Sequence, residues 1–272
     1  MDLDALLARI GLDHRPAPDL PGLRAVHRAY LTSVPYEALT IQLDEQAPLD
    51  VEAVAERLLR DGRGGYCFEV NGVLGQLLAE LGFVVERRRA TVGPRGESEL
   101  VNHLVLIVVL DEERWICDSG WGEGFVEPIP LREGRHEQPP FHWTVEHDGA
   151  DGWWIGQHEW GGSAGFWIWP GTVDLAAFDE PHERLSTGAE SSFRKTLVVE
   201  QPGPDHIVTL RARTLTRRGP AHDERRVLDS EQELGETLAR EFGIRIEGER
   251  LARLWARACE QHEAWLRVQP PA

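Results

Sequence analysis

No stretch of this 272-residue chain is apolar for long enough to cross a membrane as a helix. The longest uninterrupted apolar run is LVLIVVL, Leu104 to Leu110, which suits a buried strand, whereas a spanning helix needs about 20 residues. The N-terminus, MDLDALLARIG, lacks the basic leader and long apolar segment of a signal peptide. A cytoplasmic location is therefore expected, with no membrane partner. Cysteine is scarce: Cys67, Cys117 and Cys259 are odd in number, widely spaced, and form no CxxC. That argues against a disulfide framework and a structural zinc site. HExxH and GxxxxGK are missing, and the glycines of GWGEG do not lie between a strand and a helix as a dinucleotide fingerprint would. No metal is expected. Basic side chains are outnumbered, 29 against 46, giving a net charge of -17. So acidic a surface repels phosphate backbones, and nucleic acid is not an expected partner.

What remains is an ordinary globular composition, 41% hydrophobic and 28% charged, with enough length to bury a substantial core. Apolar spacing predicts helices at the start, with Leu3, Leu6, Leu7 and Ile10 on one face and Leu23, Val26, Tyr30 and Leu31 on another. Asp50 is placed to cap a helix through VEAVAERLLR, stopped by DGRGG. Another helix is expected from Cys67 to Gly82, with Gly72 and Gly75 inside it allowing close approach of another backbone. From Phe83 the period turns extended: FVVERRRATV, NHLVLIVVL, RWICD, FHWTVEH and DGWWIGQHEW are strand candidates, joined by turns such as GPRGES and DEER. Most of the ten tryptophans fall in this stretch, as in a barrel or sandwich core. SSFRKTLVVE, HIVTLRART and RRVLD are again strand-like. Ser230 with Glu233 forms a capping-box signature, and a last helix sets Leu251, Leu254, Trp255, Ala258 and Trp265 on one face.

Candidate chemistry centres on RGGYCFEVN, Arg63 to Asn71. Cys67 follows two glycines and opens a helix, whose unpaired N–H groups favour a thiolate. It is either a nucleophile or a small buried hydrophobe. A cysteine nucleophile needs an oriented base. His103 leads the most hydrophobic strand, as a core or a catalytic histidine, and Asp118 ends the next, as a turn former or an orienting carboxylate. If DEER turns between Glu112 and Glu113, paired residues sum to about 225, which sets Asp118 opposite Ile107. Asp118 and His103 then share a face but stand diagonally apart, and a bulge or a different turn is needed to join them. Arginines at 87–89 and within Leu210–Arg218 form either solvated faces or a site for a small anion.

In these blocks the chain resembles the arylamine N-acetyltransferases. RGGYCFEVN is similar to their RGGxCxExN, and NHLVLIV to their histidine strand. ICDSGWGEGFVEPIPL resembles their DVGFG block, VPYEAL their PFENL, and STGAESSF a further block. The resemblance implies an α+β fold: an N-terminal helical bundle over 1–83 carrying the nucleophile, a central antiparallel β-barrel over 84–185, and a C-terminal α/β lid over 186–272. It implies a triad of Cys67, His103 and Asp118, oxyanion donors at the Cys67 and Leu104 backbones, and an acceptor pocket including Tyr36, Gly122, Gly124 and Phe125. Arg63 and Glu37 are expected to pair and brace the nucleophile loop. The implied activity is ping-pong acetyl transfer from acetyl-CoA to an arylamine or arylhydrazine. Tyr36, Ala38, Val70, Ser119 and Trp121 depart from the family pattern around the pocket. An alternative is therefore a related amide synthase or Dieckmann-type cyclase acting on a CoA-bound thioester or one carried by an acyl carrier protein. A thiol hydrolase and a non-enzymatic binding module are weaker alternatives.

Overall fold

The computed structural model describes residues 1–96, 100–149 and 151–268; residues 97 and 98 of the expected GPRGES turn and the last four residues of the expected C-terminal region lie outside them. The chain opens with helices α1 (Leu3–Arg9) and α2 (Leu20–Ser33), strand β1 (Tyr36–Glu37), and helices α3 (Leu39–Gln42), α4 (Val51–Asp61) and α5 (Cys67–Glu80). A run of strands follows: β2 (Val84–Val92), β3 (His103–Leu110), β4 (Glu113–Cys117), β5 (Ile129–Pro130), β6 (Gly134–Gln138), β7 (Phe141–His147), β8 (Trp153–Gly156) and β9 (Gly165–Val173). After α6 (Asp179–Thr187) and α7 (Ser192–Lys195) come β10 (Val198–Pro202), β11 (Ile207–Arg211), β12 (Thr214–Gly219) and β13 (His222–Val227), then α8 (Glu231–Phe242) and α9 (Gly248–Val268).

The helix boundaries have local causes. The Asp50 side chain accepts from the amides of Glu52 and Ala53, starting α4, and left-handed Gly62 (φ 69°) ends it. Ser230 accepts from the Glu233 amide to start α8. The return bond of the expected capping box goes one residue further back, from the Asp229 amide to Glu233. SSFRK forms the short α7 rather than strand, because Ser191 caps it through the Phe193 amide.

Strands β2–β9 make one antiparallel sheet in the order β5-β4-β3-β2-β9-β8-β7-β6, a nearly closed barrel. Its third strand explains the unbroken apolar run. Leu104, Leu106 and Val108 pack into the helical core with α5, while Val105 and Ile107 point into the barrel with Ile116, Phe125, Trp143 and Phe166. A strand covered on both faces has no polar side to show. The helical glycines also differ from expectation: a Cβ on Gly72 or Gly75 would meet the side chains of Val51 (3.1 Å) and Leu106 (3.2 Å), not a backbone. The second sheet, β1-β10-β11-β12-β13, takes its edge strand from the helical region. Its inner face packs Val208, Leu210 and Leu215 against Leu234, Leu238, Leu254 and Ala258 of α8 and α9. Trp265 leaves the expected apolar face of α9; it is 39% exposed and lies under the Arg225 guanidinium.

Phe178 is fully buried and its ring lies 5.3 Å from that of Phe68 at the start of α5. Phe178→Ala should lower unfolding stability by about 3–5 kcal/mol through lost burial and a residual cavity. Urea denaturation checks it, and a loss below about 1 kcal/mol would show that the site collapses freely.

Candidate active site

Cys67 is the first residue of α5, preceded by two glycines that the fold requires. A Cβ on Gly64 would lie 2.0 Å from the Pro35 carbonyl oxygen, and Gly65 has φ 151°. The loop is held from both sides. Arg63 and Glu37 come together as expected, Nε to Oε1 at 3.3 Å with both side chains almost wholly buried. Arg63 also donates to Thr40 (2.7 Å), and Glu37 accepts from the Leu39 amide. A second pair, unforeseen from sequence, joins Arg57 to Glu69 at 2.9 Å, and Glu69 also accepts from the Tyr66 amide.

The β3–β4 hairpin turns one residue earlier than expected. Leu110 pairs with Glu113 around Asp111 and Glu112, so partners sum to 223: 110 + 113. Asp111 adopts φ 52°, which tightens the turn. The shared face is unchanged because the shift is even, but Asp118 moves along β3 toward His103. The two meet, His103 Nε2 donating to Asp118 Oδ2 at 2.7 Å, both buried.

Asp118 is fixed on all sides. Its Oδ1 accepts from Asn71 Nδ2 (2.8 Å) and from the Gly120 amide (2.8 Å). Asn71 also donates to the Leu104 carbonyl (2.6 Å) and accepts from the Ser119 amide and hydroxyl. The Asp118 amide donates to His27 Nε2 at 3.0 Å, and the other nitrogen of that ring donates to the Val126 carbonyl at 3.0 Å. His27 is thus locked in one neutral tautomer. Asn71 stood in the quoted motif without a role, and nothing in the sequence near His27 pointed to Asp118, 91 residues away.

Burial alone would depress His103. The Asp118 charge and hydrogen bond, with further contributions from a hydrogen bond and charge at Cys67, outweigh it and raise the imidazole to about 10. With Nε2 committed to Asp118, Nδ1 is the nitrogen left for the thiol. Cys67 Sγ also approaches the Asn102 carbonyl at 3.4 Å. Gly120 lets the loop after Asp118 pass against Cys67, since a Cβ there would stand 2.6 Å from the Cys67 Cα.

Cys67 and His103 open on a cavity of about 320 Å³ whose walls include Tyr36, Trp121, Phe193, Glu200 and Arg211. Tyr36 stands in this wall beside Cys67. Gly124 and Phe125 do not line this cavity. Phe125 points into the barrel, stacked on His27 at 6.0 Å and edge-on to Trp143, and Gly124 lines a separate hollow on the far side of the loop. Gly122 contributes indirectly: with φ 62°, it leaves room for Glu200, whose Oε2 would lie 2.2 Å from a Cβ. Leu104 sits beside His103, wholly buried. Glu200 was not foreseen. Burial and the neighbouring Glu123 raise its carboxyl to about 8, although Arg211 donates to it at 2.7 Å.

A thiol, an imidazole and a carboxylate thus meet at one cleft, the arrangement of a cysteine nucleophile with an oriented base. A family model described as N-acetyltransferase matches residues 19–251. The arylamine N-acetyltransferase of Mycolicibacterium smegmatis is 40% identical over 162 residues, 54% of this chain, and that of Escherichia coli 32% over 164 residues, 56% of this chain. The chain spans 58% of the length of each of these relatives. Among solved structures, the Mycobacterium abscessus arylamine N-acetyltransferase superposes with TM-score 0.86 at 27% identity, covering 95% of both chains. The Mycobacterium marinum enzyme in complex with CoA superposes with TM-score 0.85 at 27% identity, covering 95% of this chain and 99% of that one. The chain belongs to the arylamine N-acetyltransferase family.

Arg63→Met would strand the Glu37 carboxylate and should cost about 3–5 kcal/mol, partly recovered by adding Glu37→Gln. Equal stability of the single and double variants in chemical denaturation would refute the pairing. The histidines also make stability pH-dependent. Burial lowers His27 and His158 to about 4, whereas unfolded histidine titrates near about 6.5. Their contribution is complete above pH 6.5 and is lost as pH falls through about 4. His103, raised to about 10, has the opposite sign: its contribution is present below about 6.5 and lost as pH rises through about 10. Urea midpoints against pH should therefore fall on both flanks. His27→Gln should flatten the acid flank and His103→Gln the alkaline one; unaltered slopes would disprove the assignment.

Proposed function

We propose that this chain moves an acetyl group from acetyl-CoA, through an acetyl-Cys67 thioester, to an arylamine or arylhydrazine. The observation that carries this reading is the placement of Cys67, at a helix N-terminus, on one cleft with the 2.7 Å His103–Asp118 pair. His103 takes the thiol proton as Cys67 attacks the thioester carbonyl, and CoA leaves as its thiol. Asp118 holds the ring so that Nδ1 faces the sulfur and stabilises the imidazolium. The Cys67 amide, at the first position of α5, is one of the helix N–H groups without an intrahelical acceptor. It serves as an oxyanion donor, with the Leu104 backbone as the second. The amine then attacks the acetyl carbon, His103 accepts its proton, and the thiolate departs.

CoA has an entry route. The cleft shares Glu123, Gly162, Thr196 and Arg211 with a second cavity of about 390 Å³ over the C-terminal sheet. Arg211, Arg218 and Arg225 line it together with Thr209, Thr214 and Thr216. In a chain of net charge -17, these guanidinium groups provide a local anion site suited to the nucleotide phosphates. Tyr36, Trp121 and Phe193 form the aromatic wall for the acceptor, and the Glu200 carboxyl adds a polar group within it. Arg63 and Glu37 brace the nucleophile loop.

The division at 1–83, 84–185 and 186–272 belongs to the same proposal and is supported by three separate apolar clusters, one mainly helical, one inside the barrel and one beneath the second sheet. So does a cytoplasmic location; among the described residues no helix is long and apolar enough to cross a membrane.

Intact-protein mass after brief exposure to acetyl-CoA without acceptor tests the reading. Wild type should gain one acetyl group and lose it on addition of an aromatic amine. Cys67→Ala should gain none and turn over on the order of a thousandfold or more slower. No gain by a protein whose Cys67 still alkylates readily would overturn acetyl-CoA as donor and point to a bulkier, carrier-bound acyl group.

A further inference from the structure

Three metal-ligating side chains meet at the end of the C-terminal sheet, apart from the acyl-transfer cleft. Asp205 and His206 belong to the turn between β10 and β11, and His222 opens β13. Asp205 Oδ1 lies 2.8 Å from His206 Nδ1, and its Oδ2 lies 3.4 Å from His222 Nε2. One ligand atom from each residue falls within 4.8 Å of the other two, and the imidazole centroids are 4.7 Å apart. We propose that Asp205, His206 and His222 bind a first-row divalent cation of the zinc class, clamping the β10–β11 turn to the β12–β13 hairpin.

The backbone prepares this arrangement. The Gly203 amide donates to the His206 carbonyl (2.8 Å), closing the turn. Gly219 pairs with His222 across the β12–β13 hairpin. A Cβ on Gly219 would stand 2.2 Å from the Asp205 carbonyl oxygen and 3.1 Å from the His206 Cα. The turn therefore reaches His222 only because residue 219 is glycine. Ligands from two connections converge on a frame of paired strands, which favours a site with little reorganisation.

The donor set selects the ion class. Two imidazole nitrogens and one carboxylate suit zinc, cobalt, nickel or copper. Calcium, which takes six to eight oxygen ligands, is poorly served here. Both rings direct a nitrogen at the same carboxylate. A divalent cation seated between these atoms takes its charge compensation from the one carboxylate and its remaining protein ligands from the two rings. The histidine side chains are about a quarter exposed, 24% and 27%, and Asp205 is more open at 56%. An ion can therefore enter, and three protein ligands leave a coordination position for water.

Cobalt(II) titrated into the full chain carrying Cys67→Ala, which removes the cleft thiol as a competitor, tests the site. The expected result is saturable binding of one equivalent, with visible d–d bands, no sulfur charge-transfer band, and a higher melting temperature. Asp205→Asn and His222→Gln, checked for unchanged metal-free melting, should each weaken binding by about tenfold or more, as displaced ligand shells do. Histidine ring NMR on the parent protein reads the site without relying on variants: zinc should shift His206 and His222. Absent saturation, unchanged affinity in both variants, a sulfur band, or zinc shifts at His103 in place of this pair would each overturn the proposal.

Discussion

The structure depends on burying one carboxylate. Asp118 is 1% exposed, and an ion taken out of water without compensation costs several kcal/mol. Its compensation is drawn from across the fold: a side-chain amide on α5, the imidazole opening β3, and the amide of Gly120 in its own loop. Its amide in turn rests on His27 of α2. Helical bundle and barrel must both be in place before this charge is satisfied. The group that orients His103 is therefore also a point at which the two regions are joined.

The nucleophile loop obeys the same rule with the charges reversed. Arg63 is 1% exposed and Arg57 largely covered, and each finds a carboxylate, Glu37 or Glu69. Buried ion pairs are weak sources of net stability compared with apolar packing of equal volume, but breaking one partner is costly. Their effect here is positional. Glu37 lies on β1, which pairs with β10 of the C-terminal sheet, so the loop bearing Cys67 is registered against the sheet that forms the opposite wall of the cleft. Glu200 pairs with Tyr36 across that seam and fills the space left by Gly122. The Cys67 loop and the cleft wall are therefore linked through two strand residues.

Much of this was legible in the sequence because it rests on short-range rules. Asp50, Ser230 and the 3.6-residue spacing set helices where expected, and the apolar run of β3 marked a doubly covered strand. The shared face of His103 and Asp118 followed from period-two alternation, which survives any even error in register. The register itself did not follow, because it depends on the conformation of Asp111 at one turn. Phe125 was assigned to the pocket from its motif, yet side-chain direction in a glycine-rich loop is decided by packing, and the barrel offered it His27 and Trp143. His27, Asn71 and Glu200 escaped for a related reason. Their roles arise from contacts between segments far apart in sequence, and a lone histidine or glutamate carries no local mark of such a contact. The short strands β5 and β6 and the longer β9 were passed over where glycine and proline interrupt the alternation.

The C-terminal sheet shows how one alternation supplies two environments. Val208, Leu210 and Leu215 turn inward to α8 and α9, while the residues between them, Ile207, Thr209 and Arg211 on β11 and Thr214, Thr216 and Arg218 on β12, face the larger cavity. The apolar face anchors the sheet, so the opposite face is held in place without needing apolar residues of its own. That freedom lets arginine and threonine gather beside the cleft in a chain with 46 acidic residues. The overall negative field repels anions at long range, but within about 8 Å at physiological salt the local guanidinium groups dominate. A small anion is thus disfavoured over most of the surface and favoured at this sheet face, beside the cleft of Cys67.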